Sequence, residues 1–199
     1  MATLISNTEY FSQTFDHLAL AASKIEFSTF EECGFLNCNF QETRFRGCRF
    51  LNCTLQTCNL NLIQVKDATF SNVKFVNSNV IGVNWTEANW PKRGVLGSIE
   101  FENCAVNHAT FIGLNLQKIK IVRCQARDVD FSEVNLTLAD LRDSDFEKSR
   151  FVQTNLTKAD LRGAKNYVIP PHLNILKGTR FSLPEAMSLL YSLDIVLEE

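Results

Sequence analysis

Large apolar residues recur at every fifth position, and this period decides what the chain can fold into. From 10 to 90 the series reads Tyr10, Phe15, Leu20, Ile25, Phe30, Phe35, Phe40, Phe45, Phe50, Leu55, Leu60, Val65, Phe70, Phe75, Val80, Trp85 and Trp90. It resumes one position late as Leu96, Phe101, Val106, Phe111, Leu116, Ile121, Ala126, Phe131, Leu136, Leu141, Phe146, Phe151, Leu156 and Leu161. One extra residue therefore falls within Pro91-Lys92-Arg93-Gly94-Val95, where Pro and Gly mark a break in a regular ladder. Two residues before most large positions the chain carries a small one, for example Ser28, Cys33, Thr43, Cys53, Ala139, Ser144 and Thr154, with Leu18, Ile63, Ile99, Leu114 and Ile119 as larger exceptions. The residue just before it is often Asn or Asp, as at Asn39, Asn59, Asn79, Asn115, Asn135, Asn155, Asp130, Asp140, Asp145 and Asp160.

This spacing matches neither the helical period nor strand alternation. It fits a chain that turns a corner every five residues, with the small and large residues facing inward and the Asn or Asp outward. Four such sides close a square coil of about twenty residues, and stacking at ~4.8 Å gives about seven coils in a rod of roughly 35 Å. One inner column is expected to run Phe30, Phe50, Phe70, Trp90, Phe111, Phe131, Phe151. Outside, Asn39, Asn59 and Asn79, and separately Asn115, Asn135 and Asn155, are expected to hydrogen-bond along the axis. With eight Gly and four Pro the chain is short of ordinary turn-formers, so the repeat must supply its own turns.

The repeat resembles the pentapeptide-repeat family over roughly 15–165. The resemblance implies an all-β solenoid, a right-handed quadrilateral β-helix, which the tail completes with a short C-terminal helix. Residues 1–14 are expected to form an N-terminal cap, and 166–199 a tail for capping or dimerisation.

Cys33, Cys38, Cys48, Cys53, Cys58, Cys104 and Cys124 all occupy the small inward position. Free buried thiols are expected there, because Cys behaves as a small hydrophobe. Zinc sites favour shorter Cys spacings, and no His lies near, so no metal is expected. His17, His108 and His172 are far apart and sit in no nucleophile motif. There is no glycine-rich phosphate loop. No enzyme activity and no cofactor are expected.

The net charge of −2 argues against a polybasic grip on DNA, so no direct nucleic-acid partner is expected. No apolar run approaches the ~18–20 residues of a membrane span. The start Met-Ala-Thr-Leu-Ile-Ser-Asn lacks the character of a signal peptide. A cytoplasmic protein without a membrane partner is expected.

Two regions are candidates for contact. Past Ala164 the repeat is expected to stop, with an extended segment over 166–171 and a helix over about 183–192. Ser182 and Glu185 form a capping box at its start. Leu183, Met187, Leu190 and Tyr191 would form its apolar face, and a strand over 194–197 would add Ile195 and Leu197. This tail reads either as an end cap or as a homodimer seam. The break at Pro91, Lys92 and Arg93 reads either as a bulge or as a partner-contact loop. Outward Asp130, Asp140, Asp145 and Asp160 give the late coils an acidic cast that Arg142, Arg150 and Arg162 partly offset.

The chain is similar to the topoisomerase-protecting members of the family, the Qnr and McbG-like proteins, and closer to the compact members, since it lacks the long projecting loops of Qnr proteins. That resemblance implies a homodimeric rod that protects DNA gyrase, or topoisomerase IV, from quinolones or a microcin-like toxin by its DNA-like shape. The alternative is a scaffolding module with another protein partner, since fold alone does not assign function. A continuous acidic stripe would favour the first, and isolated mixed patches the second.

Overall fold

The computed structural model describes residues 4–90 and 99–191, with Leu193 and Ile195. The chain is a right-handed quadrilateral β-helix built from very short sides. Its strands are β1 (Glu9–Phe11), β2 (Thr14–Asp16), β3 (Thr29–Glu31), β4 (Gly34–Leu36), β5 (Arg49–Leu51), β6 (Thr54–Gln56), β7 (Thr69–Ser71), β8 (Val73–Val76), β9 (Ile99–Glu102) and β10 (Lys120–Val122). The order β1-β3-β5-β7 forms the first side and β2-β4-β6-β8-β9-β10 the second, all parallel. Isolated bridges complete the third side, from Ala19↔Asn39 onward, and the fourth, from Lys24↔Arg44 onward.

In nearly every coil three demands of the backbone explain the repeat. The first is the corner. Two residues after each large position the backbone is left-handed, as at Ser12, His17, Ala22, Phe27 and Glu32. A non-glycine residue there costs ~1–2 kcal/mol. Its N–H offsets this by donating to the next coil: Ser12 to the Glu31 carbonyl at 2.9 Å, Phe27 to the Arg46 carbonyl at 2.9 Å. The ladder therefore sustains turns with few glycines.

The second demand is a partner for the carbonyl of the large residue. The small residue of the next coil supplies it. Thr43 Oγ1 donates to the Leu20 carbonyl at 2.6 Å, Ser144 Oγ to that of Ile121 at 2.8 Å, and Cys53 Sγ to that of Phe30 at 3.3 Å. All seven cysteines are buried free thiols, and burial pushes those of Cys48 and Cys53 up to about 11. They fill space and also act as weak donors.

The third demand explains Asn and Asp. Their side-chain oxygen accepts the N–H two residues on, closing an Asx turn at each corner. Asn39 takes the Gln41 N–H at 3.2 Å, Asp130 that of Ser132 at 2.9 Å, and Asp160 that of Arg162 at 3.1 Å. In the asparagine columns expected to bond along the axis, Asn39, Asn59, Asn135 and Asn155 spend this oxygen locally instead. Axial amide contacts run to neighbours outside the columns or at a corner: Asn59 Nδ2 donates to Gln41 Oε1 at 3.3 Å and Asn72 Nδ2 to Asn52 Oδ1 at 2.9 Å.

Inside, rings stack coil on coil, with Tyr10 on Phe30 at 5.1 Å, Phe30 on Phe50 at 4.9 Å and Phe50 on Phe70 at 5.2 Å. Each buried ring is worth roughly 1.5–3 kcal/mol.

The expected column breaks at its centre. Trp85, not Trp90, lies over Phe111, at 6.1 Å and 5°. Across the break Val73 pairs with Ile99, 26 positions on, where other coils advance by twenty, as from Glu9 to Thr29. The insertion is thus six residues, not one. Six and one differ by a whole side, so the five-residue period reads them alike. Phe111, Phe131 and Phe151 consequently belong to the fourth side, and Leu116, Leu136 and Leu156 continue the first. Trp90 is half-buried, its Nε1 donating to the Trp85 carbonyl at 2.7 Å.

The ladder also runs beyond 15–165 at both ends. β1 and β2 already belong to it, and Asn155↔Ile175 and Asp160↔Arg180 extend it past Ala164. Leu176 and Phe181 pack against the core as large positions of this further coil.

The expected helix is shorter and starts differently. A 3-10 turn over Glu185–Met187 leads into α1 (Ser188–Tyr191). Ser182 does not cap it. Ser182 Oγ accepts the Gly163 N–H at 2.9 Å, and Glu185 Oε1 accepts the Asn166 N–H at 2.5 Å. The presumed capping pair instead ties the tail to the last coils.

Candidate interaction surfaces

The four carboxylates singled out in the sequence lie on three sides. Asp130 sits on the fourth, in the column Thr110–Asp130–Arg150. Asp145 sits on the third, between Gln125 and Lys165. Asp140 and Asp160 share the second, where Lys120 and Arg180 flank them. Only these last two are brought together.

Each is also engaged by a cation. Arg142 and Arg162 grip Asp140 and Asp160 in two-pronged pairs, with Nη2 to Oδ2 distances of 2.7 and 2.6 Å. These hydrogen bonds hold both carboxyls below the usual carboxylate range. Asp145 is 4% exposed. Burial works to raise its carboxyl, but bonds from Asn166 Nδ2 at 2.8 Å and Arg127 Nη2 at 2.6 Å outweigh it and lower the pKa. Arg150 stands 3.8 Å from Asp130. On the second side a groove of about 250 Å³ is lined by Glu100, Glu102, Lys120, Arg123, Asp140 and Arg142, with both signs alternating. The late coils are thus laced with mixed charge.

The tail residues divide. Leu189 packs against the core, while Leu183 and Tyr191 are 77% and 71% exposed. Met187, Leu193 and Ile195 are exposed too, and Leu190 is half-buried. An apolar surface therefore faces outward at this end. Leu197 and most of the expected strand lie outside the described residues, as do Pro91, Lys92 and Arg93.

Sequence reasoning missed a basic surface on the early coils. Lys24 and Arg44 stack on the fourth side, Arg46 and Lys66 follow one step along it, and Arg49 stands just round the corner. All five are exposed, and none makes an ion pair among the described residues. Reading outward positions at intervals of about twenty would have found them.

Among the described residues no cluster of His, Cys, Asp or Glu could hold a metal, and no helix is long and apolar enough to cross a membrane.

A square coil whose five-residue units turn a left-handed corner after a large inward residue, with a small inward residue before most of them and an Asx turn at many, defines one class of protein. The chain belongs to the pentapeptide-repeat family: the model for the pentapeptide repeat region matches residues 28–111, and that for pentapeptide repeats, in eight copies, matches 124–163. The chain is similar in fold to QnrB1, a plasmid-mediated fluoroquinolone resistance protein. With a trypsin-treated methionine-to-arginine variant it shares 16% identity over 98% of this chain and 99% of that one, at a TM-score of 0.70. A second trypsin-treated variant gives 18% identity, 98% and 99% coverage and 0.64. Full-length QnrB1 gives 16%, 94% and 100%, and 0.55. No curated protein matches the chain by sequence.

Proposed function

We propose that this protein is a non-enzymatic binding rod that protects a type II topoisomerase, DNA gyrase, from a poison such as a quinolone. The observation that carries the reading is the end-to-end likeness to QnrB1, a fluoroquinolone resistance protein, over 98% of this chain and 99% of that one. A narrow, fully packed interior supports binding by the outer surface rather than catalysis. The exposed apolar tail, with Leu183 and Tyr191 foremost, supports a seam between two copies. Recognition would then rest on the shape of the rod more than on its charge, because Asp130, Asp140, Asp145 and Asp160 are all engaged by arginines.

That pairing favours a second reading, a scaffold for another protein. Mixed patches on three sides are what such a module needs, whereas a DNA mimic needs phosphate-like charge in regular array.

Gyrase supercoiling in the presence of ciprofloxacin separates the two. Rescue at micromolar protein or below, lost on ending the chain after Phe181, is expected of dimeric protection. Neither rescue nor inhibition at any concentration would leave the scaffold.

A further inference from the structure

We infer that the edge between the fourth and first sides of the early coils is a binding surface for single-stranded nucleic acid. The whole-chain charge of −2 conceals it, because the cations are gathered in one place. Lys24, Arg44, Arg46, Arg49 and Lys66 gather over consecutive coils, against Glu26 in the same groove, Asp67 at the corner with Glu87 on the coil beyond it, and Glu9 at the far end of the column that holds Arg49. In the late coils arginine after arginine is held by an aspartate. Here no ion pair forms among the described residues, so the positive charge is free to act outward.

The patch also carries an aromatic face. Phe27 is a corner residue, 55% exposed, and the Arg46 guanidinium lies 5.9 Å from its ring centroid. The ring is held in place from below. It lies across Gly47, where a Cβ would fall 2.6 Å from the ring, so the glycine makes the seat. An apolar ring kept in solvent among cations has no role in the coil's own core. Cations that track a phosphate backbone, with an aromatic and a guanidinium for bases to stack on, are what single strands require. An acidic protein surface would use the cations and leave the ring without purpose. Coils spaced by ~4.8 Å set the cations along the edge in a line, which suits an extended strand.

The inference does not rest on gyrase protection, and its test uses the isolated protein. A fluorescein-labelled 20-nucleotide single strand is titrated by anisotropy from 50 to 200 mM salt. Binding is expected, with affinity falling steeply as salt rises. The double variant Arg44→Gln/Arg46→Gln should flatten the log–log salt slope by about 1.4, since each contact to a single strand contributes ~0.7. Phe27→Ala should weaken binding about tenfold with the slope unchanged. Thermal melts of both variants should match wild type, because the altered side chains are exposed. No binding at 50 mM salt, binding untouched by the double variant, or equal binding of poly-glutamate or of duplex DNA would overturn the inference.

Discussion

The early and late coils share one backbone and clothe it differently. Between Phe30 and Phe50 each large position is phenylalanine, and cysteine fills the small position at Cys33, Cys38, Cys48, Cys53 and Cys58. From Leu136 to Leu161 the large positions run two leucines, two phenylalanines and two leucines, and valine, alanine, serine or threonine stands at the small position. Outside, the early coils leave the cations of the basic edge unpaired among the described residues, while the late coils close theirs onto aspartates, within one repeat at Asp140 and Asp160 and between coils at Asp130 and Asp145. The corner and the inward pairing of a small with a large residue are the constants. The carbonyl partner is supplied by Ser, Thr or Cys at the small position and is absent where that residue is Ala or Val.

The largest effect expected is at the join between these regions. Phe111→Asp would bury a charge between Trp85 and Phe131, where Phe111 is wholly buried. An unpaired buried charge costs several kcal/mol. Circular dichroism should show a large unfolded fraction at 25 °C. A melting curve like wild type would sink the stacked-column account.

How much of this could be read from sequence depends on which period carries the information. The inward and outward alternation, the cysteines and the square coil follow from the period of five and are visible in the residues. The join is not. Trp85 and Trp90 are equally good large residues, and an insertion of one or six gives the same phase. The basic edge is hidden for a related reason: Lys24 and Arg44, or Arg46 and Lys66, are twenty apart and look unrelated along the chain. Asp140 and Asp160 read as surface charge, although their first task is to close Asx turns and hold Arg142 and Arg162. The tail misled because Ser182 and Glu185 have helix-cap spacing but find nearer partners in Gly163 and Asn166.

Replacing one ring and one leucine sharpens the contrast in packing. Phe50→Ala opens a void between Phe30 and Phe70 in the early coils, and Leu156→Ala one in the late coils. Losses of ~3–5 and ~2–5 kcal/mol are expected. Urea denaturation of the two variants should place the phenylalanine change as the larger. The reverse order would mean that the leucine columns, not the rings, hold the rod together.

Next comes Asp145, the most buried of the four carboxylates. Asp145→Ala removes the acceptor shared by Arg127, Asn166 and the Glu147 N–H, a loss of about 1–3 kcal/mol. Because the folded pKa is lowered, the carboxylate's contribution is complete above the unfolded value near 3.9 and is lost as pH falls through the lower folded one. Wild-type stability measured from pH 6 to pH 2 should therefore drop more steeply at the acid end than that of Asp145→Asn. Parallel curves would show that the buried carboxylate gains nothing from its partners.

The smallest effect asks whether cysteine and serine are interchangeable at the inward step, as the two halves of the rod suggest. Cys53→Ser keeps a donor aimed at the Phe30 carbonyl, now a stronger one, in place of a thiol at 3.3 Å. Cys53→Val keeps the volume and removes the donor. The serine variant should stay within about 1 kcal/mol of wild type, and the valine variant should lose ~1 kcal/mol or more as that carbonyl goes without its bond. Valine does occupy this step at Val73 and Val83, which sets the low end of the range. If valine proves as stable as serine, the early coils use cysteine for volume alone, and the difference between the two halves at this position is one of size rather than of hydrogen bonding.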